Sequence, residues 1–231
     1  MSKSRILLAS LMVLVLMGAG CVNQATKTDD TKKKVEAKKT IKIGGIIPST
    51  GVAAEYGANE NEAIKLAVED INAAGGILGK KLEVVLEDTK CDAKEGATAV
   101  TKLINVDKVD VLASFECSGP TFSGAPIAQS SKKVFVAGIS SAPDLAKKGD
   151  YIFRIGPNDA AQGKDLAKAV DSKGYKKTAV IYVNNDYGVG VKNVFEKNFK
   201  GSVVATEAVL TDASDFKTSL TKVKSQKPDS I

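Results

Sequence analysis

Histidine and tryptophan are both missing from the 231 residues, and aromatic side chains make up only 5%. Without His, the Ser-His-Asp and Cys-His arrangements, His-ligated zinc and a His general base are excluded together. Catalysis through Asp, Glu, Lys or Ser stays open, but no nucleophile–base pair stands out. A folded charge excess is lacking too. The formal net charge is +6, yet residues 1–39 hold eight of the 33 basic side chains and three of the 27 acidic ones. The rest of the chain carries 25 against 24. A nucleic-acid binder would concentrate basic charge on a folded face, so that class is set aside. No apolar run reaches the ~20 residues of a spanning helix. What remains is 43% hydrophobic and 26% charged, a globular composition long enough for one or two domains.

The N-terminus has its own pattern. Met1-Ser-Lys-Ser-Arg5 precedes Ile6–Met17, which is apolar except for Ser10, and Gly18-Ala19-Gly20-Cys21 follows. A basic start, a short apolar stretch and a small-residue end make a secretory signal. Cysteine directly after the small residues resembles a bacterial lipobox, in which cleavage precedes the cysteine and its sulfur takes a diacylglyceryl group. Gly18 departs from that pattern, which usually has Leu there, and a plain secretory signal is the other reading. The expectation is a signal over residues 1–20, lipidation at Cys21, and a solvated Lys- and Thr-rich tether through residue 39. The chain is then exported and anchored to the cell membrane, facing the periplasm or the exterior. Two cysteines remain, Cys91 and Cys117, and in an exported protein they most simply form one disulfide.

From Thr40 strands and helices alternate. Strands are expected at Thr40–Ile47, Lys81–Glu87, Val109–Ala113, Val134–Ala137, Ile152–Ile155, Thr178–Val183 and Val203–Val209. Helices are expected at Asn59–Ala73, Ala93–Asn105, Pro120–Ser130, Asp159–Lys173, Val189–Phe199 and Phe216–Lys224. Their inward stripes include Ala63, Ile64, Ala67, Val68 and Ile71, then Leu166, Ala169 and Val170. This alternation is the signature of α/β architecture with parallel sheets. Pro228–Ile231 reads as the opening of another strand, so the sequence is expected to be a fragment truncated at its C-terminus.

In parallel sheets ligands bind beyond the carboxyl ends of the strands. The loops Phe115–Pro120 and Gly138–Pro143 leave such ends and carry Ser118, Ser140 and Ser141. A serine beside a helix N-terminus is an anion site on one reading and a helix cap on the other. Tyr187 follows an apolar strand, either as a ligand cover or as an aromatic packed on the sheet. The glycines Gly44, Gly45 and Gly51 fit neither GxGxxG nor a P-loop. No cofactor and no metal is expected.

Several runs together carry a resemblance. IKIGGIIPSTGVAAEYG, VEDINAAGGILGKKLEVVLEDTKCD, SFECSGPT, SSAPDL and VIYVNNDYGVGV resemble the substrate-binding proteins of branched-chain amino acid ABC transporters, collinearly from Thr40 to Ile231. The resemblance implies a type I periplasmic binding protein fold of two Rossmann-like parallel-sheet lobes with a ligand cleft between them. Lobe one would span residues 40–148, and an incomplete lobe two residues 149–231. The resemblance implies carboxylate contacts at Ser118 and the neighbouring N–H groups, including Gly119. Further contacts fall at the backbone of Ile139, at Ser140 and at Ser141. Tyr56 becomes a rim aromatic, Tyr187 a cover from lobe two, and Cys91–Cys117 the family's disulfide. Gly119-Pro120 departs from a serine-rich stretch, and Ser141 stands where amino-acid binders often have Thr. The acid that pairs the ligand ammonium in the family falls beyond Ile231.

The function implied is capture of a small polar ligand, an amino acid of branched-chain type, for delivery to the permease subunits of an ABC importer. No enzymatic activity is expected. A ligand-sensing domain on the same fold, or a binder of urea, amides or aromatic acids, is the alternative.

Overall fold

A computed structural model describes residues 39–231 except Glu116. The leader, Cys21 and the tether through Lys38 lie outside the described residues. Strand β1 (Thr40–Ile47) is rich in β-branched residues and buries Ile46 and Ile47. It lies between β2 (Lys81–Asp88) and β3 (Val111–Ser114), and β4 (Phe135–Ala137) and β5 (Ile152–Arg154) extend the sheet in the order β2-β1-β3-β4-β5. Every pairing is parallel. A second parallel pair consists of β6 (Lys177–Val183) and β7 (Ser202–Val209).

The helices α1 (Ala54–Ala73), α2 (Ala93–Asn105), α3 (Ser118–Ser130), α4 (Ala160–Ser172), α5 (Asp186–Asn198) and α6 (Lys217–Ser225) link these strands. The main core joins Val100 and Leu103 of α2 to Leu112, Phe135 and Leu145. Full burial of such side chains contributes roughly 1.5–3 kcal/mol each before the entropy cost of ordering them. A smaller core gathers Ala167, Phe195 and Phe199 beside β6 and β7.

Three expectations are corrected. Ile152 pairs with Phe135 and joins the main core, so β5 completes the first sheet. The crossover to the second sheet therefore runs between Arg154 and Lys177, after the expected division at residue 148. Helix α1 begins at Ala54, five residues ahead of the expected Asn59, which puts Tyr56 in its first turn. Its start lies close against the end of β1, where a side chain at Gly57 would come within 2.3 Å of the Pro48 carbonyl oxygen. Ala63 and Ala67 of its expected stripe are exposed, while Ile64, Val68 and Ile71 are half-buried. Leu166 and Ala169 are exposed as well, because α4 packs on α5 through the small residues Gly163 and Ala167. The strand opening read at Pro228–Ile231 appears as a parallel bridge. Ser230 pairs with Thr178, and Ala179 N–H donates to the Ser230 carbonyl at 2.9 Å.

Candidate functional site

The turns after β1, β2, β3 and β4 converge beyond the carboxyl ends of the first sheet. Asp88, at the end of β2, accepts from Thr50 and Lys90 and so ties the β1–α1 loop to the β2–α2 turn. Partial burial opposes its ionisation, but the hydrogen bonds from Thr50, Lys90 and Ser49 hold its carboxyl below the ordinary value. Cys91 and Cys117 form a disulfide with Cα atoms 5.5 Å apart, tying the same turn to the start of α3. The 26-residue separation corresponds to about 3 kcal/mol on the chain-entropy account.

Ser118 is the first residue of α3 and not, as expected, a residue before it. Its hydroxyl does not cap that helix. Ser118 Oγ instead accepts from Ala142 N–H at 3.3 Å, leaving the O–H proton for another acceptor. The first N–H groups of a helix have no intrahelical partner, so Ser118 and Gly119 present donors beside that hydroxyl. Pro120, next in line, has no N–H to satisfy.

Ser140 and Ser141 diverge. Ser140 is buried, and its hydroxyl points into a network with Thr121, Ser114 and the Cys117 carbonyl. The network fixes the entry to α3, so Ser140 reaches the site through its backbone. Ser141 donates its hydroxyl to Asp159 at 2.5 Å, and Arg154 donates to the carbonyls of Ser141 and Ala142. Toward any ligand the Ser141 oxygen is therefore an acceptor, whereas Ser118 is a donor.

These groups surround one cavity of about 290 Å³, near the lower end of the ~300–1,000 Å³ usual for small-molecule sites. Tyr56, Ser118, Gly119, Ile139, Ser140, Ser141 and Tyr187, all singled out from the sequence, line it, with both disulfide cysteines. Tyr56 and Ile139 are largely exposed at its mouth, and Tyr187 is 39% exposed. Tyr187 enters from the first turn of α5, whose N-cap Asn185 accepts from Gly188 N–H and also lines the cavity.

One lining residue escaped the sequence reading. Glu60 sits on α1 one turn after Tyr56. Its Oε2 is buried without a hydrogen-bond partner, and burial pushes its pKa from 4.5 up to about 7. The signal available was the four-residue spacing from Tyr56, which puts both on one helix face.

The whole folded segment, residues 40–231, matches the periplasmic binding protein family. Among curated relatives, the Leu/Ile/Val-binding protein of Escherichia coli is 27% identical over 218 residues, covering 92% of this chain and 58% of that one. The leucine-, isoleucine-, valine-, threonine- and alanine-binding protein of Pseudomonas aeruginosa is 30% identical over 193 residues, covering 81% and 52%. Among solved structures, LivJ, the branched-chain amino acid transporter substrate binding protein of Streptococcus pneumoniae, was determined with isoleucine. It is 35% identical, with a TM-score of 0.69 over 83% of this chain and 56% of that one. A solute binding protein of an ABC transporter from Rhodopseudomonas palustris, in complex with 3,4-dihydroxybenzoic acid, is 27% identical, with a TM-score of 0.70 over 83% and 53%. The chain spans about half the length of the curated relatives it matches. By fold, by the collinear match and by its relatives, the chain belongs to the periplasmic binding protein family, with a type I α/β fold and branched-chain amino acid binders among its relatives.

Proposed function

We propose that this protein is an extracytoplasmic solute-binding lipoprotein that captures an amino acid of branched-chain type and hands it to the permease subunits of an ABC importer. The observation that carries the reading is the convergence of Ser118, Gly119, Ile139, Ser141, Tyr56 and Tyr187 on a single small cavity. Ser118 and the start of α3 receive the ligand carboxylate, through charge-assisted hydrogen bonds and a favourable helix dipole. The Ser141 oxygen and the backbone near Ile139 face the ammonium side. Tyr56 covers the rim from the lobe built on the first sheet, which includes β5, and Tyr187 from the lobe built on β6 and β7. Cys21 carries the lipid that keeps the protein at the membrane, with residues 21–39 as tether after removal of the signal 1–20. The protein binds and releases, without chemical turnover.

The likeness to the Rhodopseudomonas palustris protein favours a second reading, an aromatic acid as ligand. Calorimetric titration separates the two. Saturable heat with L-isoleucine, L-leucine or L-valine, and none with 3,4-dihydroxybenzoate, is the expected result. The reverse order of affinity replaces the first reading with the second.

A further inference from the structure

The strands of the first sheet all start at one end, opposite the cavity, and the turns that feed them gather there. That end carries Lys39 before β1, Lys80 and Lys81 at the start of β2, Lys108 before β3 and Lys132 before β4. Lys39 and Lys81 are neighbours, since Lys81 N–H donates to the Lys39 carbonyl. Four of the five are exposed and Lys80 is half-buried. Among the described residues no ion pair holds any of them. Nearby acids are engaged elsewhere: Asp110 accepts from Lys42 N–H, Glu83 faces the Lys42 side chain and Asp107 faces Lys102. Asp70 and Asp150 are the exposed acids toward this end. The same end shows apolar side chains to solvent. Val106, ahead of β3, is exposed, and Leu78 is 92% exposed, more than any other large hydrophobic side chain among the described residues. Leu78 and Gly79 are the central pair of a tight turn in which Ile77 and Lys80 exchange backbone hydrogen bonds, and both have positive φ, 53° and 72°. Such turns favour Asn-Gly, and Leu takes that backbone only at a steric cost. The turn therefore presents a strained apolar tip beside two lysines.

We propose that this end of the first sheet is a face that rests on the membrane, its lysines against anionic phospholipid headgroups and Leu78 entering the interfacial layer. The proposal rests on the anchoring at Cys21 given above. Cys21 and Lys39 are 18 residues apart in the sequence, at most about 60 Å of chain. Lys39 leads into β1 at this very end, so the chain arrives from the anchor at the proposed face. Basic side chains and a small apolar tip are the two contributions that hold a protein surface on anionic lipid. The cavity lies beyond the other ends of the same strands, so resting on this face directs the cavity away from the bilayer.

The chain has no Trp, so Leu78→Trp supplies a single fluorescent reporter, and Leu210→Trp, exposed just after β7, is the control. The full chain, made in bacteria, is reconstituted in vesicles of equimolar phosphatidylcholine and phosphatidylglycerol and in vesicles of phosphatidylcholine alone, each with and without brominated lipid as quencher. In the anionic vesicles Leu78→Trp emission is expected to shift to the blue and to be quenched by brominated lipid, while Leu210→Trp does neither. Replacing Lys80, Lys81 and Lys108 together by Glu should abolish the shift, since each lysine beside an anionic membrane is worth roughly fivefold in binding. Salt at 1 M, where the screening length is about 3 Å, should reverse it too. Protein that stays with the vesicles while Leu78→Trp is neither shifted nor quenched overturns this inference alone, as does equal quenching in phosphatidylcholine alone. Protein that leaves the vesicles and carries no lipid on Cys21 by mass spectrometry overturns the anchoring and this inference with it. If Leu78→Trp does not fold, amine acetylation of the wild type decides: Lys80, Lys81 and Lys108 must react more slowly on the anionic vesicles than on the neutral ones. Slow reaction on whole cells but not on vesicles gives the face to a protein partner and overturns the inference.

Discussion

Glu60 gives the sharpest consequence at the scale of single residues. Burial raises its pKa from 4.5 to about 7, so the folded protein holds the proton more tightly than the unfolded chain does. Its contribution to stability is complete below about pH 4.5 and is lost as the pH rises through 7. The full shift, at 1.36 kcal/mol per pKa unit, is cut by solvent screening at this partly exposed group to roughly 1 kcal/mol. Glu60→Gln cannot ionise. It should match the wild type near pH 4 and exceed its stability at pH 8, by roughly 1 kcal/mol, in denaturant melts without ligand. A difference that does not change with pH contradicts the burial assigned to this carboxyl. The sequence hid Glu60 because Glu62, Lys65 and Glu69 nearby make it look like one more member of a solvated helix face. That seven candidate residues line one cavity is legible in the sequence because they lie in runs with family resemblance that follow strand ends. The inward turn of the Ser140 hydroxyl was not legible, since it depends on Thr121 and Ser114 from other elements.

Elements with a single environment were read to the residue. Strand β1 and helix α2 span Thr40–Ile47 and Ala93–Asn105 as expected, one rich in β-branched residues and the other capped by Asp92 with an apolar stripe behind. Helix α1 looks short in the sequence because Ala54–Ala58 has no apolar period, and its start is fixed by tertiary contact instead. That contact is close. A Cβ at Gly57 would lie 2.3 Å from the Pro48 carbonyl oxygen, backbone that cannot swing aside. Gly57→Ala therefore has to shift the start of α1, at a cost of roughly 1–3 kcal/mol by analogy with overpacked cores. Thermal denaturation should show the loss, and ligand affinity should fall with it because Tyr56 and Glu60 ride on the same helix. An unchanged melting temperature contradicts the packing described. In helix α4 the apolar period misleads for the opposite reason. Its larger apolar residue Leu166 faces out, and its contact with α5 runs through Gly163, where Val191 and Val194 leave no room for a side chain.

At the scale of the whole molecule, two parallel sheets with separate cores share one cavity. The first sheet supplies the start of α1, the disulfide-held start of α3 and the Ile139–Ser141 turn; the second supplies Asn185 and Tyr187 through α5. Pro143 meets α5 at Gly190, so the two sides touch beside the site. The alternation of strands and helices made this architecture legible, but not the sheet to which β5 belongs, because a three-residue strand carries no mark of its partner. The central claim is that the cavity binds a carboxylate at Ser118. The most direct measurement is the dissociation constant of L-isoleucine for wild type and Ser118→Ala, with the melting temperature of each. Loss of a hydrogen bond to a charged group, ~1.5–3 kcal/mol, predicts a roughly 10–150-fold weaker affinity with the fold intact. A lowered melting temperature with an unchanged dissociation constant would show that Ser118 serves the fold alone, and would contradict the account.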